Sequence, residues 1–182
     1  MTMLVQRGPS SAEPPFDIDD LKLHLRVADD AEDAAIQNIG QTVAAEIEQF
    51  AQLALITQTV TLTLFDPKPE CGLRLPIGPV ASDATPTVTI DGVAFTAFDF
   101  VGGIRPYIRW QADYHDLTPR QMTIEYQAGF GDTAADIPHD LAQALMDQAA
   151  LHYDGRSPMD AKSLTTSPHM ARIGARYRGV SV

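Results

Sequence analysis

The sequence is poor in several residue types, and each shortage argues against a class of protein. Its 182 residues include a single cysteine, Cys71. One cysteine excludes an internal disulfide and disfavours a cysteine-based zinc site, so we expect assembly in a reducing bacterial cytoplasm. Aromatic residues make up only 7% of the chain. Because they are not interleaved with basic residues, a stacking platform for single-stranded nucleic acid is disfavoured.

Long apolar runs are also missing. No run approaches the roughly 20 residues that a membrane-spanning helix needs. The first residues lack the basic stretch and apolar segment that are typical of a signal peptide. We therefore expect no membrane partner. Hydrophobic residues make up 45% of the chain and charged residues 20%, which is typical of a globular protein that buries a core without disulfides.

Basic residues are scarce and unevenly placed. The chain has 13 of them against 24 acidic residues, which gives a net charge of −11. Residues 155–182 carry five basic groups and one acidic group, whereas the rest of the chain carries eight basic and 23 acidic groups. The acidic body should repel DNA rather than neutralise its phosphates. A purely solubilising role for this charge is an equally open interpretation.

Hydrophobic periodicity predicts an α+β fold, because helical spacing gives way to strict alternation and then returns. Helices are predicted over residues 17–27, over about 34–52, and near 137–154 with Asp136 as the N-cap. The strands are predicted at 56–64, 73–77, 86–91, 93–100, 104–110 and 122–126. Asp91-Gly92 lies between two alternating runs and predicts a tight hairpin. We predict a small helical bundle with an inserted antiparallel β-sheet region.

The two ends of the chain differ from this central part, which we expect to be one domain over residues 17–156. Residues 1–16 contain three prolines and no period, so they are predicted to form a flexible N-terminal arm. Residues 157–182 are predicted to form a basic C-terminal arm with a short helix around 168–177. Apolar residues at helical steps and arginines between them suggest binding to an acidic partner. The predicted partner-binding residues are Met170, Arg172, Ile173, Arg176, Tyr177 and Arg178.

Motifs for catalysis are missing. No glycine-rich phosphate loop and no Gly-x-Ser-x-Gly elbow is present. Acidic residues cluster at 17–20 and 29–33, where helix capping explains them. A small metal-dependent hydrolase built on His139, His152 and nearby acids remains an alternative, although the two histidines are 13 residues apart on one predicted helix. We expect no enzyme, no catalytic residue, no metal and no cofactor.

The order of short motifs resembles the head–tail connector (adaptor) proteins of tailed phages and gene transfer agents. The segment LKLHLRV at 21–27 resembles the family's opening, MTIEYQAGFG at 122–131 its last strand, and IPHDLAQALMDQAALHYDGR at 137–156 its closing helix. The matching positions are Leu21, Arg26, Val27, Tyr126, Ala128, Gly129, Phe130, Gly131, Ile137, Pro138, Leu141, Ala144, Tyr153 and Arg156.

The resemblance implies a structural virion protein without an active site. Such proteins form rings, typically of twelve subunits, under the portal at the capsid vertex, and DNA passes through the channel without sequence-specific binding. The implied partners are the portal protein, stopper or tail proteins, and further copies of the chain. Another neck component, such as a stopper or tail-completion protein, is the alternative function. The implied location is the head–tail junction of the virion.

Overall fold

A computed structural model describes residues 2–10, 13–68, 70–156 and 166–178. It confirms the α+β class and divides the chain into two compact units. Residues 1–11 and 57–129 form a β unit, and residues 12–56 and 130–182 form a helical unit. The β segment at 57–129 therefore interrupts the helical sequence, as the alternation pattern predicted.

Among the described residues, four helices belong to the helical unit. They are α1 (Ile18–Leu25), α2 (Asp33–Ala51), α4 (His139–Asp154) and α5 (Pro168–Arg178), with 3-10 turns at Asp30–Glu32 and Ala134–Asp136. The one-turn helix α3 (Ala112–His115) lies in the β unit. One face of each of the four helices contributes to a shared apolar cluster, which includes Leu21, Ile36, Ile47, Leu145 and Ile173. Burial of these faces is the main stabilising force of the unit.

The described part of the β unit contains two antiparallel sheets. The first sheet has the order β1-β2-β8-β4-β5, and the second has the order β3-β7-β6. The strands of the first sheet are β1 (Thr2–Ser10), β2 (Gln58–Phe65), β8 (Gln121–Ala128), β4 (Thr87–Ile90) and β5 (Val93–Phe95). Those of the second are β3 (Gly72–Arg74), β7 (Tyr107–Trp110) and β6 (Phe98–Val101).

Local sequence chemistry accounts for the central strands. In β2 the apolar residues Val60, Leu62 and Leu64 are buried while the intervening threonines are partly exposed, since successive side chains in a strand point to opposite faces. The Asp91-Gly92 pair makes the predicted two-residue turn between β4 and β5, and both residues have positive φ angles. The Asp91 carboxylate accepts hydrogen bonds from the amides of Arg120 and Gln121.

Three predicted features differ in the structure. Residues 2–10 are not a loose arm but form β1, which pairs with β2 through a register shift between Arg7 and Ser10. The helix α4 begins at His139 after Pro138, and Asp136 instead accepts hydrogen bonds from Thr133 in the preceding 3-10 turn. Residues 168–178 form an ordered helix inside the helical unit, whereas 157–165 and 179–182 of the predicted C-terminal arm lie outside the described residues.

Candidate partner-binding surfaces

The acidic segments near the start of the helical unit serve local structure. The Asp17 carboxylate accepts the amides of Asp19 and Asp20 and caps α1, and Asp29 accepts the amide of Ala31 in the next turn. The contacts of Asp17 confirm its predicted capping role, whereas Asp29 caps the 3-10 turn and the N-cap of α2, Glu32, makes no side-chain capping bond. The opening motif ends where Arg26 adopts a left-handed conformation and stops α1. The motif therefore specifies a helix and its end.

Lys22 connects α1 to the acidic turn that follows it. Its Nζ lies 2.5 Å from Asp30 Oδ1 and 2.6 Å from Asp33 Oδ1. Hydrogen bonds to these two carboxylates raise the pKa of Lys22 and keep the amine charged. A single lysine thus balances two of the acidic residues between α1 and α2.

The Tyr-x-x-Arg end of the family resemblance contacts the same acidic turn. The Tyr153 hydroxyl donates to Glu32 Oε2 at 2.5 Å, and Arg156 Nη1 donates to the same oxygen at 2.9 Å. The Arg156 guanidinium also lies 3.8 Å from the centre of the Tyr153 ring. Hydrogen bonds from Arg156 and Tyr153 hold the pKa of Glu32 below its usual range. The motif therefore fastens the end of α4 to the start of α2.

An aspartate at the middle of α4 joins three helices. Asp147 Oδ2 lies 2.6 Å from His169 Nδ1 of α5, and Asp147 Oδ1 lies 3.3 Å from His24 Nε2 of α1. Burial by itself would raise the pKa of Asp147. The hydrogen bonds from His169 and Gln143 outweigh that effect and lower the pKa overall. Sequence reasoning missed this group because Asp147 is 123 residues from His24 and 22 residues from His169 in the chain.

The apolar half of the predicted partner-binding set faces the interior of the helical unit. Met170 and Ile173 are each only 4% exposed and belong to its core cluster. Ser167 positions the helix, because its hydroxyl accepts the Met170 amide while its own amide donates to Gln148. The three- and four-residue spacing suggested binding to a groove of a partner. The apolar face that this spacing creates packs instead against other helices of the same chain.

The polar half divides between internal and exposed positions. Tyr177 donates a hydrogen bond to Asp140 at 3.0 Å, and Arg176 forms an ion pair with the same carboxylate. Arg172 and Arg178 are exposed. Of the six predicted residues, these two arginines have the geometry to meet an acidic surface of another protein.

The strand end that carries the second motif has a structural role. The buried Tyr126 hydroxyl accepts the Ile77 amide at 3.3 Å, and burial raises the pKa of Tyr126 to about 12. Gly129 has a φ angle of +150° and donates its amide to Pro79. A side chain on Gly131 would overlap Asp136. These glycines are needed where the chain leaves the β unit.

The remaining candidate groups do not converge on a reactive site. His139 starts α4, whereas His152 lies near its end and is 3.3 Å from Glu46. His139 lines a cleft of about 510 Å³ in the helical unit together with Asp17 and Asp20, but Asp17 is occupied as a helix cap. Cys71 is exposed. Within residues 2–10, 13–68, 70–156 and 166–178, no group of three or more His, Cys, Asp or Glu side chains is arranged to hold a metal ion, and no helix could cross a membrane.

Comparison of the fold with solved structures identifies its relatives. A protein in the virion of a native gene transfer agent (GTA) particle has a TM-score of 0.79 and 25% sequence identity, over 98% of this chain and 97% of the other. A protein in the neck of an empty GTA particle, computed with C6 symmetry, has a TM-score of 0.79 and 26% identity over the same shares. A third, from the neck of a native GTA particle computed with C12 symmetry, has a TM-score of 0.76 and 23% identity, likewise over 98% and 97%.

The chain has the fold of a gene transfer agent neck protein. The resemblance predicted from the sequence is therefore confirmed, and it covers both units rather than residues 17–156 alone. No protein-family pattern and no curated protein matches the sequence. The similarity to neck components of the virion supports a structural role in a virion neck.

Proposed function

We propose that this protein is the head–tail adaptor of a GTA-type particle, forming a ring under the portal. The observation that carries the proposal is the fold match over 98% of the chain to proteins of the GTA virion and neck. Neck structures computed with sixfold and twelvefold symmetry support a ring, and we propose twelve copies. The head-to-tail contact of a single chain type closes into such a ring when its rotation is a whole fraction of a turn.

The charge of the chain supports a passage for DNA. By sequence, the helical unit carries 16 acidic and seven basic residues, whereas the β unit carries eight and six. Lys22 and Arg156 of the helical unit are already paired with carboxylates. An acidic channel surface offers few cations to bind phosphates, so DNA would pass through the channel without sequence-specific binding.

The exposed arginines of α5 supply a proposed contact to the portal. Arg172 and Arg178 lie on a helix whose apolar face is already buried, so their position on the surface is fixed. Guanidinium groups at these two positions suit carboxylates on another protein, because each can donate two parallel hydrogen bonds. The docking contact is therefore proposed to be polar and salt-sensitive.

Reconstitution with the portal protein of the same particle tests this function. The full-length chain is mixed with purified portal rings, and the products are measured by mass photometry and electron microscopy. We expect one ring of this chain, of twelve copies, on one face of the portal. Tail-side proteins of the particle serve as the competing bait. Binding to a tail component with no binding to the portal would assign the chain to a stopper or tail-completion role instead.

A further inference from the structure

The five-stranded sheet has an apolar face that extends onto both of its outer strands. The strand registers align two rows of apolar side chains across all five strands. The first row is Val5, Leu62, Ile124, Val88 and Phe95. The second row is Met3, Leu64, Met122, Ile90 and Val93. The rows stay aligned because β1 pairs with β2 without a register shift in its first half, and a shift of one residue would move the apolar side chains to the other face.

Burial falls sharply at both ends of these rows. The six residues of β2, β8 and β4 are at most 7% exposed, whereas Met3 is 46%, Val5 40% and Val93 70% exposed. The outer strands thus present apolar side chains that continue a buried layer into solvent. Large apolar side chains lined up with a core at a strand edge are a known mark of a protein–protein contact.

The backbone edges at both ends are also unpaired. Among the described residues, β1 pairs only with β2, and β5 pairs only with β4. The first six residues of β1, from Thr2 to Arg7, contain no proline, glycine or lysine, and Arg7 at the end of this segment is its one charged residue. Natural proteins usually block such an edge, because it recruits a further strand.

The strand directions select the kind of pairing. Each neighbouring pair in the sheet is antiparallel, so β1 and β5, four steps apart, run in the same direction. Rotation about a ring axis preserves the component of strand direction along that axis and, in a twelvefold ring, turns the rest by only about 30°. The strand β5 of one copy can therefore meet β1 of the next as a nearly parallel pair. Pairing of β1 with a second β1 would instead be isologous and would end at a dimer.

We infer that β1 of one copy docks against β5 of the next, so that the sheet and its apolar rows continue from subunit to subunit around the ring. This inference rests on the proposed ring. The occupant of each edge is a second copy of this chain, because the two edges are complementary in direction and in apolar character. Met3 and Val5 lie on the same face of the sheet as Val93 and would be its neighbours across the contact.

Cysteine cross-linking in the reconstituted portal complex tests this contact. Cys71 is first replaced by serine, and then Met3→Cys or Val5→Cys is combined with Val93→Cys. Within one subunit, four strand spacings of about 4.8 Å separate β1 from β5 by about 19 Å, whereas a disulfide needs Cα atoms within about 7 Å. Any disulfide between these positions must therefore join two copies.

The expected result is a ladder of covalent oligomers on a non-reducing gel for at least one of the two double variants. Species larger than dimers should be at least tenfold more abundant than in either single variant. The matched control is Leu4→Cys with Val93→Cys, because Leu4 pairs with Thr63 and lies on the opposite face of the sheet. This control should give no ladder.

Other outcomes separate the inference from the proposed function. A ring of normal mass on the portal with no ladder from either double variant would overturn the β1–β5 contact and leave the adaptor role intact. Efficient dimers from Met3→Cys alone would show an isologous contact and overturn the inference. Cross-links from β1 to the portal would assign that edge to the portal. Failure of the unmodified chain to form any ring would overturn both proposals.

Discussion

At the scale of single residues, the helical unit is held by a few polar contacts that connect distant segments. Capping by Asp17 and Asp29 could be predicted, because a cap acts on amides two or three residues away in the chain. The contacts of Asp147 with His24 and His169 could not be predicted. They exist only after α1, α4 and α5 have packed, and no sequence spacing encodes that arrangement.

The role of Asp147 can be tested by removing its charge. Asp147→Asn should lower the free energy of unfolding by about 1 kcal/mol at pH 7, because charge-assisted hydrogen bonds to two helices are weakened. Its pKa is lowered in the folded state, so this stabilisation is present above the unfolded-state pKa of about 3.9. It is lost as the pH falls through the lower, folded-state value.

Urea unfolding measured at several pH values checks this prediction. The matched control is Asp154→Asn, which changes an exposed carboxylate on the same helix and should alter stability by less than about 0.5 kcal/mol. Equal stability of Asp147→Asn and the unmodified chain at pH 7 would show that the three-helix contact is not stabilising.

Gly40 is a second residue with a specific steric role. It lies inside α2, where a methyl group at its Cα would overlap the Phe16 ring. Phe16 and Gly40 are both buried. Gly40→Ala gains about 1 kcal/mol in helix propensity, but overpacking of a buried ring costs about 1–3 kcal/mol. We expect a net loss of stability.

Thermal and chemical unfolding of Gly40→Ala measure the balance of these effects. Gln41→Ala, at an exposed position of the same helix, is the control and should be neutral or slightly stabilising. A more stable Gly40→Ala variant would mean that the Phe16 ring can move aside without loss of packing.

At the scale of elements, alternation and turn chemistry predicted most of the strands. The threonine-alternating β2 and the Asp91-Gly92 turn are specified by neighbouring residues alone. The strand β1 could not be predicted in this way. Its apolar residues Met3, Leu4 and Val5 are consecutive rather than alternating, and Gly8 and Pro9 follow them. It is a strand because β2 offers an unpaired edge, which is a tertiary cause.

The helix α5 was predicted as a helix, but its packing against the other helices of the same unit was not predicted. A stripe of apolar residues identifies a helix that buries one face, and it does not identify the surface that covers that face. Ile173→Ala should therefore destabilise the isolated chain by about 2–4 kcal/mol, as expected for a buried side chain that leaves a cavity. An undocked arm would lose nothing.

Denaturant unfolding and amide hydrogen exchange of the isolated chain check this expectation. The amides of α5 should be protected before any partner is added, and the Ile173→Ala variant should lose that protection first. Arg172→Ala, on the exposed face of the same helix, is the matched control and should stay within about 0.5 kcal/mol of the unmodified chain.

At the scale of the whole molecule, the α+β class and the inserted position of the β region followed from the order of the periodic segments. The surfaces that remain exposed for partners could not be predicted, because several residues that were predicted to bind a partner are buried or bonded within the chain. Met170, Ile173 and Tyr177 are engaged within the helical unit. Among the described residues, the two outer strands of the sheet and the arginines Arg172 and Arg178 of α5 stay exposed.

Charge reversal on α5 tests the proposed contact with the portal. The double variant Arg172→Glu with Arg178→Glu should weaken portal binding by about 10–100-fold, since each lost charge-assisted contact is worth about 1.5–3 kcal/mol before solvent screening reduces it. Its folding should be unchanged, because both side chains are exposed. Portal binding of the unmodified chain should also weaken as salt is raised, because such charges are screened over about 8–10 Å.

Arg74→Glu provides the matched control, since it reverses an exposed arginine on β3 in the β unit and adds the same kind of negative charge. One such change should alter portal affinity by less than about threefold if the effect of α5 is local. Equal losses per charge in both variants would indicate general electrostatic repulsion between a more acidic chain and an acidic partner, rather than a local contact of α5. Unchanged binding of the α5 double variant would remove the arginines from the interface and leave another surface of the chain to meet the portal.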